Sequence, residues 1–259
     1  MTKLVLVGAA GRMGRAVAAA AEGTSDLEIV ALVDRAANLP GGGGVWTSDL
    51  ASIVRPGHVV VDFSSAEGAR VAAAVCAAKG AALVSCSTGL AAADEALFGE
   101  AARKVAVLRA SNFSLGVAAL RVALRAALGA LPESWDVEIV ERHHRSKKDS
   151  ASGTALTLAA DIRAARGWPE KALRHGREGA AGPRPAAELG LHAVRGGTWV
   201  GDHQVLLAGD GEWLEFRHVA QDRSAFAQGA LAAARFLTTA AAGSYTMEDV
   251  LRAPGPRAR

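Results

Sequence analysis

The chain has 259 residues, 50% of them apolar and 21% charged, with a formal net charge of +3. That composition suits one large or two small globular domains and excludes a disordered or low-complexity chain. The small charge and the 5% aromatic content argue against nucleic-acid binding, and no run approaches the ~18 apolar residues of a membrane helix.

In chain order, the first hundred-odd residues alternate between short β-branched apolar runs and helix-compatible segments. The runs are "KLVLVG", "LEIVALVD", "HVVVDFS", "AALVSCS" and "VAVLRAS", and the helical segments are Arg12–Glu22, Glu67–Lys79 and Ala91–Lys104. Such continuous apolar strands are expected where both faces of a parallel sheet are covered, so this part reads as a doubly wound α/β domain. The opening run flows straight into a glycine-rich turn and lacks the regions of a signal peptide, so a cytoplasmic location is expected. After Leu115 the pattern changes. A helix over Leu115–Leu131 is followed by a strand over Asp136–Arg142, a histidine block, and a helix capped by Ser152 that runs to about Ala165. A polar Gly/Pro-bearing connector leads to three strands, Gly190–Arg195, Thr198–Leu207 and Glu212–Val219. Consecutive strands without helices indicate a second domain with an antiparallel or mixed sheet. The final apolar-striped helix, in "DRSAFAQGALAAARFLTTA", is expected to pack back on the first domain. The expected division is 1–114 with 222–259, and 115–221. The two cysteines, Cys76 and Cys86, have no metal-ligand spacing and read as reduced thiols, with no metal site.

"VLVGAAGRMGRAV" places Gly8, Gly11 and Gly14 after the first strand and at the opening of a helix. A tight turn of this kind lets backbone N–H groups approach a pyrophosphate, and the helix N-terminus adds positive potential. The glycine spacing alone is weak, since a purely structural turn has the same residues. Its position strengthens it, as does Asp34, an acid 20 positions beyond Gly14 that suits ribose hydroxyls. Arg35 follows and suits a 2′-phosphate, so NADH and NADPH both remain open as the cofactor. Loops at 63–65, 86–89 and 111–114 are expected along the same crevice, although ordinary polar turns read the same way.

"ERHHRSKKDSASGTAL" crowds His143, His144, Arg145, Lys147 and Lys148 ahead of a helix start at Ser152–Thr154. Free N–H groups at the helix start, hydroxyls and cations together make a receptor for a small carboxylate, especially a dianion. Histidine titrates near neutrality and a desolvated lysine can lose its proton, so either residue type can move a proton. A solvated basic loop is the plain alternative. Adjacent histidines in a chain with seven, and the Ser-Gly-Thr cap, weigh against it. His175, His192, His203 and His218 lack this context and read as surface or packing residues.

On these residues the chain resembles the 4-hydroxy-tetrahydrodipicolinate reductase, or dihydrodipicolinate reductase, family of the bacterial lysine and diaminopimelate pathway. The resemblance is carried by "EIVERHHRSKKDSASGTA", "GAAGRMG", "SNFSLGV" and "RGGTWVGDH", and it runs from residue 3 to about 250. Ala151 stands where the family usually has proline, and Cys86-Ser87-Thr88-Gly89 where it has Gly-Thr-Thr-Gly. The resemblance implies a dinucleotide domain joined to a substrate domain with a mixed sheet, a homotetramer built on that sheet, and hinge closure. It implies that His143 donates or accepts a proton, with Lys147 as partner acid, and that His144, Gly153 and Thr154 bind a substrate carboxylate. It also implies that Gly8, Ala9, Ala10, Gly11, Arg12, Met13, Asp34, Arg35, Cys86, Ser87, Thr88, Ser111, Asn112, Phe113 and Ser114 surround the cofactor.

The expected activity is therefore NADH- or NADPH-dependent reduction of a cyclic imine dicarboxylate. The expected partners are that small substrate and copies of the chain itself, with neither nucleic acid nor membrane. Two rival readings are a dehydrogenase of similar build acting on another acid, and a non-catalytic dinucleotide sensor.

Overall fold

The computed structural model describes residues 1–40, 45–87 and 90–253. The chain divides into two compact units, Met1–Leu115 with Arg223–Arg259, and Gly116–Asp222. In the first unit the chain forms β1 (Thr2–Val7), α1 (Arg12–Ala21), β2 (Leu27–Val33), β3 (Trp46–Thr47) and α2 (Leu50–Ile53). It continues through β4 (Val59–Asp62), α3 (Ala66–Lys79), β5 (Ala82–Ser85), α4 (Ala92–Ala102) and β6 (Ala106–Arg109). The second unit contains α5 (Leu115–Ala130), β7 (Asp136–His143), α6 (Gly153–Arg166), β8 (Leu173–His175), β9 (Leu189–Arg195), β10 (Gly201–Gly209) and β11 (Glu212–Ala220). The chain then returns to the first unit as α7 (Ser224–Leu237), β12 (Gly243–Tyr245) and α8 (Met247–Arg252). No described helix is long and apolar enough to cross a membrane.

The first unit is a seven-stranded parallel sheet in the order β12-β6-β5-β4-β1-β2-β3. Val59, Val60 and Val61 are at most 1% exposed, as a strand covered on both faces requires. Helix boundaries follow local chemistry. Ser65 Oγ accepts the Gly68 N–H at the start of α3, and Gly80, at φ +68°, ends it. Strand order reverses at β1 and β4, which opens a crevice at their C-terminal ends. The glycine turn after β1 and the Phe63–Ser65 loop after β4 sit there.

The second unit is a mixed five-stranded sheet in the order β11-β10-β7-β9-β8. β10 is antiparallel to both β7 and β11, whereas β7, β9 and β8 run parallel. Alternation along β7 is strict. Val137, Ile139, Glu141 and His143 are buried on one face, with Glu138, Val140 and Arg142 on the other. α5 and α6 cover the first face through Leu120, Leu124, Leu158 and Ile162, packed with Val137, Ile139, Leu189 and Leu207. Apolar residues thus fill one end of that face, and Glu141 and His143 fall at the other. The opposite face carries Glu138, which accepts from His192 of β9 and from Arg177 and Arg184, and the two arginines tie the polar connector to the sheet.

The fold class is the one the sequence indicates. Several elements differ in detail. The strand expected at Thr198 begins at Gly201, because the preceding residues pair with the histidine loop: the His144 N–H donates to the Trp199 carbonyl at 2.8 Å. The connector holds a 3-10 turn at Glu170–Ala172 and the short β8, too brief to show a period. β3, α2, β12 and α8 escape the sequence reading for the same reason.

Helix α7 depends on one close approach. A Cβ added at Gly229 would lie 1.6 Å from the Phe113 carbonyl oxygen. At Gly99, on the exposed side of α4, no atom lies within 4 Å of the added Cβ. We expect Gly229→Ala to destabilise the protein by about 1–3 kcal/mol or more through overpacking. Gly99→Ala is expected to stabilise it by about 0.5–1 kcal/mol through helix propensity. Urea unfolding of both variants checks the pair, and similar effects from the two would contradict the close approach.

Candidate active site

The two clusters of expected site residues occupy different units. In the first unit, Gly8 adopts φ +76°, a conformation open to glycine, and a Cβ there would lie 2.7 Å from the Phe63 carbonyl oxygen. Gly14 lets α1 approach the turn, since a Cβ there would lie 2.3 Å from the Gly8 carbonyl oxygen. α1 begins at Arg12 behind Gly11, with no acidic residue in its first turn. Its first-turn amides and macrodipole are therefore available to an anion. Asp34 lies beside the turn, accepting from Ala10 N–H at 2.9 Å, Arg35 N–H at 2.9 Å and the Asn38 amide at 2.7 Å. Burial pushes its carboxyl upward, but the hydrogen bonds from Asn38, Ala10 and Arg35 hold it below its ordinary value.

A cavity of about 800 Å³ is lined by Gly8, Ala10, Gly11, Asp34 and Arg35, with Asn38 and Ser64 beside them. This turn, helix start and acid fit the pyrophosphate and ribose of a dinucleotide. Ala9 is buried and Met13 is half-buried, whereas Arg12 is exposed. Ser87 Oγ donates to Asp62 Oδ2 at 2.8 Å, and Thr88 lies outside the described residues. Burial, then the charge of Asp62, pushes the Cys86 thiol up to about 12, so it carries no thiolate near neutrality. In the 111–114 loop the Ser114 N–H donates to Asn112 Oδ1 at 2.8 Å. Ser111 is exposed, while the Phe113 ring is fully buried and tilted against Phe63, which makes it a packing residue. The sequence reading missed Asp62. This fully buried carboxylate accepts from the Ser64 N–H and from the hydroxyls of Ser64, Ser85 and Ser87, and so fixes the loops after β4 and β5.

In the second unit, Glu141 has no exposed surface. Its Oε2 accepts from His143 Nδ1 and from Arg195 Nη1, the latter at 2.9 Å. Its Oε1 accepts from Arg195 Nη2 at 2.8 Å and from the Ser152 N–H at 3.2 Å. Burial raises the Glu141 carboxyl, but hydrogen bonds from His143 and Arg195 outweigh it and bring the group down to about 2. His143 is 7% exposed, and a Cβ at Gly201 would lie 3.3 Å from its Nε2. Its carbonyl accepts the Gly196 N–H at 3.0 Å. His144 Nδ1 and Ser146 Oγ are 2.8 Å apart, and Lys147 Nζ lies 2.9 Å from Asp149 Oδ1. Gly153 opens α6 behind its N-cap Ser152, and Thr154 is buried in the first turn. The structure thus gathers His143, Glu141 and the start of α6 into one cluster, with the loop carrying His144 and Lys147 directly after β7.

His203 is a packing residue, one of the two roles the sequence suggests, but it packs inside the cluster. It is 3% exposed, its ring lies 5.1 Å from that of His143, and its Nε2 is 3.1 Å from Ser152 Oγ. The signal was register: His203 pairs with Glu141 across β10 and β7. That placement needs the strand pairing, which one chain's spacing does not reveal. Arg195 was missed for the same reason, since it pairs with His143 across β9 and β7. His192 contacts Glu138 on the opposite face.

Burial, reinforced by neighbouring His143, lowers His203 from 6.5 to about 4. The unfolded chain therefore takes up a proton at pH values where the folded ring stays neutral. Stability falls as pH drops from about 6.5 to about 4, by an amount on the order of 3 kcal/mol. Glu141, depressed in the fold, contributes stability that is lost only as pH falls from about 4.5 towards about 2. We expect His203→Gln to remove most of the upper slope in a series of urea midpoints, while the lower fall persists. His58 and His218, also lowered by burial, leave a residual slope. An unchanged upper slope would mean that His203 is not held neutral by the fold.

Comparison with known proteins supplies the remaining findings. A family model described as dihydrodipicolinate reductase, N-terminus, matches residues 2–113, and its C-terminus counterpart matches residues 116–251. The chain is 44% identical over 259 residues to the 4-hydroxy-tetrahydrodipicolinate reductase of Thermomicrobium roseum, covering 97% of this chain and 100% of the relative. It is 41% identical over 264 residues to the enzyme of the same name from Anaeromyxobacter dehalogenans, covering 97% and 98%. In structure it is similar to the dipicolinate-bound dihydrodipicolinate reductase of Paenisporosarcina sp. TG-14. The TM-score is 0.78 at 22% identity, with 96% of this chain and 99% of that one covered, a likeness of fold. The chain belongs to the dihydrodipicolinate reductase family, whose reaction is the NADH- or NADPH-dependent reduction of the cyclic imine dicarboxylate 4-hydroxy-tetrahydrodipicolinate, with loss of water, to tetrahydrodipicolinate in lysine and diaminopimelate biosynthesis.

Proposed function

We propose that the first unit holds the dinucleotide at the Gly8–Met13 turn and that the second unit holds the dicarboxylate at His143, His144, Lys147 and the start of α6. The observation that carries this reading is the buried Glu141–His143 pair beside the N-terminus of α6. When bound, the reduced nicotinamide supplies the hydride.

The protein's part is charge and proton placement. Glu141 is an acceptor only, so the His143 Nδ1 it contacts carries hydrogen and Nε2 is the nitrogen left to work. The imidazolium form gives up its Nε2 proton where negative charge develops on the ring nitrogen and neighbouring carbon as the conjugated ring is reduced, and Glu141 keeps the Nδ1 hydrogen in place. Lys147, in the loop directly after β7, adds a positive field and a second proton source. The amides of Gly153 and Thr154, the Thr154 hydroxyl and His144 receive a substrate carboxylate, helped by the positive end of α6. Asp34 receives ribose hydroxyls, and Arg35 is placed for a 2′-phosphate, so both reduced cofactors are used. Arg12, Cys86, Ser87, Ser111, Asn112 and Ser114 complete the cofactor surroundings.

The same reading makes the chain a cytoplasmic homotetramer without nucleic-acid or membrane partners. Supporting it, edge strand β11 exposes Trp213, Leu214 and Val219, at 68%, 40% and 52%. An apolar edge of this kind is normally covered. Light scattering is expected to give four chains, and Leu214→Arg smaller species. A monomeric native chain would contradict it.

The direct test is a coupled assay with freshly generated substrate and each reduced cofactor. We expect turnover with both NADH and NADPH. Lys147→Ala is expected to lower kcat by ~10²–10⁴, the scale for a positioned acid. His144→Ala should chiefly raise KM for the dicarboxylate. Unchanged kinetics in the lysine variant would remove Lys147 from the chemistry. A normal KM with depressed kcat would give His144 a chemical role.

A further inference from the structure

We propose that Arg195 is the positioning residue that sets both proton-moving groups at once: His143 through the Glu141 carboxylate, and Lys147 through the backbone of Asp149. The proposal rests on the assignment of His143 and Lys147 above. Arg195 ends β9, directly across from His143 in the parallel register with β7. Its guanidinium spans both Glu141 oxygens, Nη1 to Oε2 at 2.9 Å and Nη2 to Oε1 at 2.8 Å. The same Nη2 donates to the Asp149 carbonyl at 2.6 Å. Asp149 in turn holds Lys147 Nζ at 2.9 Å through its side chain. One planar group therefore joins β9, the end of β7 and the loop that carries the lysine.

Among the described residues, several titratable groups face this cluster, including His218 of β11 beside His203. Glu141 comes from β7, His203 and Asp202 from β10, and Lys147 and Asp149 from the loop. α6 contributes a neutral N–H from its cap, Ser152. Asp202 is committed to Arg142 and Arg217 on the other side of β10. His203 is held neutral near pH 7 by burial. Arg195 is thus the cation that counters Glu141 whether or not His143 carries its second proton. Its fork geometry matters as well as its charge. A lysine ammonium cannot span two carboxylate oxygens and a carbonyl in one plane. Losing the fork frees the Glu141 carboxylate to turn and the 145–151 loop to drift, and a misplacement of about 1 Å costs on the order of 10²-fold in rate.

The test is a cycle on the full chain with Arg195→Ala, His143→Gln and the double variant, assayed with fresh substrate and NADH. Arg195→Ala is expected to lower kcat ~10²-fold with KM for NADH unchanged. Guanidinium chloride at tens of millimolar should restore part of that activity in Arg195→Ala and less in the double variant, where only the Lys147 arm can respond. The double variant should be slower than His143→Gln by clearly less than the Arg195→Ala factor, because only the Lys147 arm is then left for Arg195 to position. If Arg195→Ala does not fold, Arg195→Lys replaces it and is expected to lose ~10-fold or more with an unchanged cofactor KM. Losses that multiply in the double variant, or an Arg195 variant with native turnover, would overturn the positioning role and leave the His143 assignment intact. A fully active His143→Gln would overturn both.

Discussion

A carboxylate with no exposed surface is the constraint on which the second unit turns. Removing Glu141 from water costs several kcal/mol unless its oxygens are filled. They are filled by the His143 ring, the Arg195 fork and the amide that begins α6. Each donor comes from a different segment, so satisfying one charge fixes the end of β7, the end of β9 and the start of a helix together. The same contacts hold the His143 ring, the start of α6 and the lysine loop, the groups proposed above to receive a small dianion. Stability and chemistry are coupled here, because an unpaired Glu141 would be costly and His143 would lose its orientation.

The first unit uses the complementary device. Its glycine turn is held against the Phe63 carbonyl so closely that only hydrogen fits at Gly8, and α1 opens at that point. Asp62 performs below this crevice a service like that of Glu141, drawing three serine hydroxyls inward. Each unit thus holds one buried carboxylate whose donors come from strand ends and loops around it. Membership of the dihydrodipicolinate reductase family sets aside the rival readings of a sensor or of a dehydrogenase for another acid.

Much of this was legible in the residues. Continuous apolar runs gave away the parallel sheet, because covering both faces leaves no polar alternation to read. The glycine turn, the Ser152 cap and the histidine pair are local in sequence, and local chemistry is what one chain displays. The partners of the histidine were not legible. Arg195 reaches Glu141, and His203 reaches His143, through strand register, set by the pairing of β7 with β9 and β10. Asp62 looked like the last residue of an apolar strand, and its role depends on Ser85 and Ser87, more than 20 residues away. Ser152 was recognised as a helix cap, but its amide contact with Glu141 was not, since that needs α6 folded over the sheet.

The most direct check of this account is the hydrogen on His143. Nitrogen-15 NMR of histidine-labelled protein, with His143 assigned by substitution, reports which ring nitrogen is protonated. An ionised Glu141 accepting from Nδ1 requires a protonated Nδ1 with a far-downfield hydrogen, lost in Glu141→Gln. A His143 that carries its hydrogen on Nε2 alone at neutral pH, unaffected by that substitution, would contradict the account.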